Sequence, residues 1–119
     1  MITLIFIVLI LLQIKHWYID FVNQTEEEVQ YKGTYLDWRG VKHSLKHGIA
    51  TAAIFFVFIP IEWSLIIGAL DFLLHYHIDY CKIRYGNRDI KTPQFWSQLG
   101  LDQMAHQITY LGLVSILII

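Results

Sequence analysis

Residues 44–81 make a largely apolar stretch too long for one crossing of a lipid bilayer, and only Ile59-Pro60-Ile61-Glu62 interrupts it. Proline can start a helix but not continue one, and a carboxylate prefers the interface to the hydrocarbon. The stretch therefore divides into a helix over about 41–59 and another over about 61–83. A bilayer-crossing helix needs ~20 mostly apolar residues. Residues 2–22 and 99–119 each supply one more. The expectation is an all-α, four-helix transmembrane bundle, a single integral membrane domain over residues 1–119. The opening MITLIFIVLILL has no basic segment before it and no small-residue cleavage site after it, so it reads as a retained membrane helix and not as a secretory signal.

Composition points the same way, since 55% hydrophobic residues is unusual for a soluble domain of this size. A net charge of −1 offers no basic excess for a nucleic-acid partner. The single cysteine, Cys81, excludes an internal disulfide and reads as a small core residue. Every lysine and arginine lies in or beside two polar connections: Lys15, Lys32, Arg39, Lys42 and Lys46 near 23–40, and Lys82, Arg84, Arg88 and Lys91 near 84–97. In a four-span chain these connections share one side. The positive-inside rule places them in the cytoplasm, with both termini outside an inner or plasma membrane. Tyr31, Tyr35, Trp38, Tyr85, Phe95 and Trp96 suit an interfacial aromatic belt, and Glu26, Glu27 and Glu28 a solvated face.

Ionisable residues recur inside the apolar segments in a pattern. HWYID at 16–20 and HYHID at 75–79 each place a histidine and an aspartate four apart. One offset of 59 residues carries His16 onto His75, Asp20 onto Asp79, His43 onto Asp102, His47 onto His106 and Lys32 onto Lys91. The fold expected is thus two parallel-repeat helical hairpins related by an axis along the membrane normal. The pairs His16/Asp20 and His75/Asp79 end spans 1 and 3, while His43/His47 and Asp102/His106 begin spans 2 and 4. Antiparallel packing brings all four pairs to one level near the cytoplasmic face, each projecting from one helical stripe.

Imidazoles and carboxylates converging from facing helices suit a divalent transition metal, Zn, Mn or Fe, and so many donors suit two ions. The ligand candidates are His16, Asp20, His47, His75, Asp79, Asp102, His106 and, from the repeat alone, His43. Such a centre under the headgroups, with Lys32 and Lys82 as anion contacts, implies a metal-dependent hydrolase acting on a lipid or soluble ester or phosphoester. The alternative is a non-catalytic protein with a structural His/Asp network, either a metal or proton conduit or a binder of a host membrane partner. Bis-histidine haem would leave the aspartates unexplained. Asp71, four before His75, extends that stripe either as a ligand-orienting acceptor or as a buried partner elsewhere. His77 points away and reads as packing or interfacial. Four short helices with a polar interior are also compatible with a homo-oligomer.

HWYIDFVNQ, Lys32, His47, HYHIDYCK and DQMAH, in that order, resemble the motifs of a small integral-membrane family of phages and bacteria, domain of unknown function 3307. The resemblance spans nearly the whole chain. It implies functional positions at His16, Asp20, Gln24, Lys32, His47, His75, Asp79, Lys82, Asp102, Gln103 and His106. It transfers no activity.

Overall fold

The computed structural model describes residues 1–119, which fold into five helices with no strand. Helix α1 (Ile2–Trp17) runs without a break into a π-helical stretch, Tyr18–Asn23, that carries Asp20. Helix α2 (Glu26–Tyr31) is short and lies within the first connection. Helices α3 (Trp38–Phe56), α4 (Ile61–Tyr85) and α5 (Pro93–Ser115) follow, and a 3₁₀ turn at Ile116–Ile118 closes the chain.

Local chemistry sets these boundaries. The Thr25 hydroxyl accepts from the Glu28 amide at 3.1 Å and starts α2, whose first-turn glutamates favour the positive end of the helix dipole. The Asp37 carboxylate accepts from the Arg39 amide at 3.0 Å and from its guanidinium at 2.9 Å, which caps α3. Pro60 separates α3 from α4 as its missing N–H requires. Thr92-Pro93 does not end a loop but begins α5: Thr92 caps it and proline takes the first helical position, so α5 starts well before residue 99.

Helices α3 and α4 approach backbone to backbone. A Cβ added at Gly48 would lie 2.8 Å from the Gly68 carbonyl oxygen, and one at Gly68 would lie 2.7 Å from that of Gly48. Such small residues let helices touch closely. Gly68→Leu is expected to force the pair apart at a cost of about 1–3 kcal/mol, read as a lower unfolding midpoint. Gly100→Ala, where nothing lies within 4 Å, should be neutral or slightly stabilising.

The interior has two halves. Val8, Leu12, Phe55, Ile67, Tyr110, Leu113 and Val114 form an apolar core near the chain termini and the α3–α4 turn. The other half is polar. Across the molecule, fourteen polar or charged residues are buried against nine hydrophobic ones. Large apolar side chains instead cover the outside, among them Phe6, Ile10, Ile49, Phe56, Leu65, Leu73, Leu101 and Ile108. One helix, Ile2–Asn23, is long and apolar enough to cross a membrane by length and composition. Helices α3, α4 and α5, which carry the inward histidines and carboxylates, fall short of that measure.

Two sequence expectations need correction. Glu28 is not solvated: it is 1% exposed, because α2 turns its inner face against α3. Cys81 is exposed and not part of the core, since it lies on the outer side of α4.

Candidate metal centre

The polar half of the interior gathers His16, Asp20, His43, His47, His75, Asp79, Asp102 and His106, all buried except Asp20, which is nearly so. Within it, two groups of donor atoms lie close enough together to share an ion. Asp20, His43, His47 and His75 make one, and His75, Asp79 and His106 the other. Asp20 Oδ1 is 3.0 Å from His43 Nε2, 2.7 Å from His47 Nε2 and 3.9 Å from His75 Nε2. Asp79 Oδ1 is 3.0 Å from His106 Nε2, and its Oδ2 is 3.3 Å from His75 Nε2 and 3.6 Å from His43 Nε2. Since one His75 lone pair can serve one ion only, the two groups resolve into two sets of three donors when His75 serves the second, and into four and two when it serves the first. Three protein ligands with an open position is the pattern of a catalytic metal, in contrast with a closed structural site.

The repeat holds in space. Asp20–His47 at 2.7 Å corresponds to Asp79–His106 at 3.0 Å, and His16–Asp20 at 3.2 Å to His75–Asp79 at 3.3 Å. The same offset carries Thr51 onto Tyr110, the two buried hydroxyls one turn beyond His47 and His106. Lys32 and Lys91 do not correspond: Lys32 is buried with Nζ 3.1 Å from Asp79 Oδ2, whereas Lys91 is exposed.

Counting lone pairs separates the histidines. His16 Nε2 donates to Gln103 Oε1 at 2.8 Å and faces Asp20 Oδ2, so its Nδ1 accepts from the Tyr110 hydroxyl at 2.7 Å. Both nitrogens are used, and His16 stands outside both donor groups. Asp102 also stands outside, with Oδ1 3.4 Å from His106 Nε2 and Oδ2 accepting from the Gln103 amide at 3.1 Å. His43 Nδ1 donates to Glu28 Oε2 at 3.1 Å, the carboxylate–imidazole pairing that orients a metal ligand. Its Nε2 then faces two aspartates, which suits a cation between them. That promotes His43, weakest on sequence grounds, to a central position. His75 has no aligned hydrogen bond on either nitrogen, although its Nε2 lies 3.3 Å from Asp79 Oδ2, an oxygen that pairs with the Lys32 ammonium at 3.1 Å. A buried imidazole with neither nitrogen hydrogen-bonded is a group that an ion would satisfy.

Charge is unevenly paired across this interior. Asp71 is matched by Lys15 at 2.9 Å and Glu28 by Lys46 at 2.7 Å. Burial pushes the Glu28 carboxyl up, but hydrogen bonds from Lys46 and His43 outweigh it and hold the group below the usual glutamate range. Asp20, Asp79 and Asp102 remain, three carboxylates against the Lys32 ammonium, with Lys82 at the rim 3.9 Å from Asp102. Buried charge in excess must be compensated, and either a protonated imidazole facing the aspartates or a bound cation would do so.

Several contributors carry no sequence signal as ligands. Lys15 is buried in α1 and donates to Asp71 Oδ2 and His47 Nδ1, each at 2.9 Å, while Thr51 donates to the same Asp71 oxygen at 2.5 Å. Asp71 is therefore a buried partner of Lys15 and Thr51, one shell away from the cluster. Gln24 accepts from Lys32 and donates to the Asp20 carbonyl at 2.9 Å, bracing the π-helical end of α1. His77 is exposed and pairs with the Tyr35 hydroxyl at 3.0 Å, an edge contact outside the cluster. Elemental analysis of purified variants checks the lone-pair assignment: His16→Ala should keep its metal, while His75→Ala should lose most of it.

No curated protein and no solved structure matches the chain. A family model described as protein of unknown function (DUF3307) matches residues 8–119, nearly the whole chain, and the chain belongs to that family.

Proposed function

We propose that this is a four-span integral membrane protein whose His/Asp centre binds two divalent transition metals, Zn, Mn or Fe, and hydrolyses an ester or phosphoester near the cytoplasmic face. The observation that carries the reading is the pair of donor groups sharing His75, whose two ring nitrogens are buried without a hydrogen bond. Support for the membrane comes from the inverted distribution of side chains, polar within and apolar without, which marks a lipid-facing surface. Helices α3, α4 and α5 have 19, 25 and 23 residues, lengths that bracket the ~20 of a bilayer crossing. The connections near 23–40 and 84–97 then face the cytoplasm and both termini face outward.

Asp20, His43 and His47 would hold one ion, and His75, Asp79 and His106 the other. Bound metal would supply hydroxide at neutral pH and stabilise charge on the reacting oxygen. The chain's own residues orient that centre: Glu28 holds the His43 ring and Lys32 anchors Asp79. Lys82, at the rim, is the cation best placed to meet an anionic substrate. A second reading, a metal-free structural network in a non-catalytic conduit or partner-binding protein, draws on Lys15. Its donation to His47 Nδ1 leaves the His47 Nε2 proton for Asp20, a complete hydrogen bond without an ion.

Protein purified gently without added metal should contain about two transition metal ions per chain. It should also cleave a generic phosphoester in a reaction abolished by chelation and restored by readdition. Metal-free protein under those conditions would refute the reading and leave the structural network.

A further inference from the structure

Beside the centre, an apolar groove of about 510 Å³ runs between α4 and α5. Leu74, Ile78, Leu101 and Ala105 line it, Cys81 opens onto it, and Lys82 stands at its polar end. A smaller cavity of about 190 Å³ adjoins, lined by Lys82, Asn87, Arg88 and Gln98. Lys82 and Gln98 belong to both, so the apolar and cationic spaces meet at those two residues. Asp102 also borders the groove, and its Oδ1 lies buried and unpartnered 3.4 Å from His106 Nε2. One side chain thus separates the groove from the His/Asp centre.

We propose that the groove receives the hydrocarbon chain of an anionic amphiphile, whose phosphate or carboxylate sits against Lys82 and Arg88 with its ester directed past Asp102. The substrate of the reaction proposed above would then be a lipid-type ester and not a soluble one, an inference that rests on that reading for its chemistry but not for its binding. Three features favour this occupant. The volume suits a drug- or lipid-sized ligand. The larger space is lined mainly by apolar side chains, and the smaller one adds Arg88 to the Lys82 they share; two cations against the one Asp102 carboxylate complement an amphiphile with an anionic head. Its open side, between exposed Leu73, Leu74 and Leu101, is continuous with the lipid-facing surface, so a chain enters laterally without crossing water.

Cys81, the sole cysteine and exposed in the groove, reports occupancy. The full chain is placed in nanodiscs of zwitterionic lipid, and its alkylation by N-ethylmaleimide is timed with hexadecyl phosphate, ethyl phosphate or hexadecyltrimethylammonium. Hexadecyl phosphate should slow alkylation several-fold while the other two have little effect, and Lys82→Gln should remove the difference. Equal effects of both long-chain amphiphiles, or none from hexadecyl phosphate, would overturn the proposal. So would Cys81 cross-linking efficiently between two copies without amphiphile, since a second copy would then fill the groove. Metal content measured on the same preparations keeps the two ideas apart. Protection without metal removes the hydrolase and keeps the groove, and metal without protection does the reverse.

Discussion

Asp79→Ala protein should leave purification with its metal content lowered from about two ions per chain towards none. Like Asp20, the Asp79 carboxylate reaches groups from both halves of the centre. Its Oδ1 is 3.0 Å from His106, and its Oδ2 lies 3.1 Å from Lys32, 3.3 Å from His75 and 3.6 Å from His43. Removal deletes a donor of one group and a carboxylate that faces both. It also strands the Lys32 ammonium in the interior, an uncompensated charge costing about 3–5 kcal/mol. Asp79→Asn keeps the volume and one acceptor oxygen, so it should fold better yet still lose metal. Elemental analysis beside the helical signal in circular dichroism distinguishes the outcomes. Metal retained in a folded Asp79→Asn protein would move the ligand set away from Asp79.

The second large effect lies deeper in the bundle. Asp71→Ala should destabilise the protein by about 3–5 kcal/mol, because Lys15, 8% exposed on its side chain, loses its counter-charge. Lys15 Nζ would keep His47 Nδ1, while the Thr51 hydroxyl would lose its acceptor. Replacing both members together, as Lys15→Met with Asp71→Leu, should recover most of the stability, since apolar residues of similar volume often substitute for a buried ion pair without loss. Unfolding midpoints in detergent across the two single variants and the double variant test this. Additive losses would mean that the two side chains act independently.

The helix pattern was legible because it follows from coarse physics. A proline and a carboxylate divide an over-long apolar stretch, and the structure turns at that point, between Phe56 and Ile61. The convergence of the histidines and aspartates was legible too, because residues four apart share a stripe and antiparallel helices align their ends. The partners of those residues were harder to see. Lys15 counts in the sequence only among the basic residues around the first connection; the cost of a lysine amid apolar neighbours is the one hint that it turns inward. Glu28 follows two exposed glutamates and reads as a third, and the Thr25-x-x-Glu28 helix-start pattern shows a helix there but not which face of it turns onto His43. Tyr110 carries a recoverable signal: it lies four residues after His106, on the same stripe, and a buried tyrosine hydroxyl needs a partner. Cys81 was misplaced because sequence alone did not show which side of α4 faces outward.

Anomalous scattering tests the central claim most directly. Diffraction from crystals of protein purified without added metal, recorded on either side of the Zn, Mn and Fe absorption edges, should give two peaks. One should lie among Asp20, His43 and His47, and the other among His75, Asp79 and His106. Imidazoles and carboxylates hydrogen-bonded to one another, with no anomalous peak at any of the three edges, would contradict a metal centre and establish a structural network.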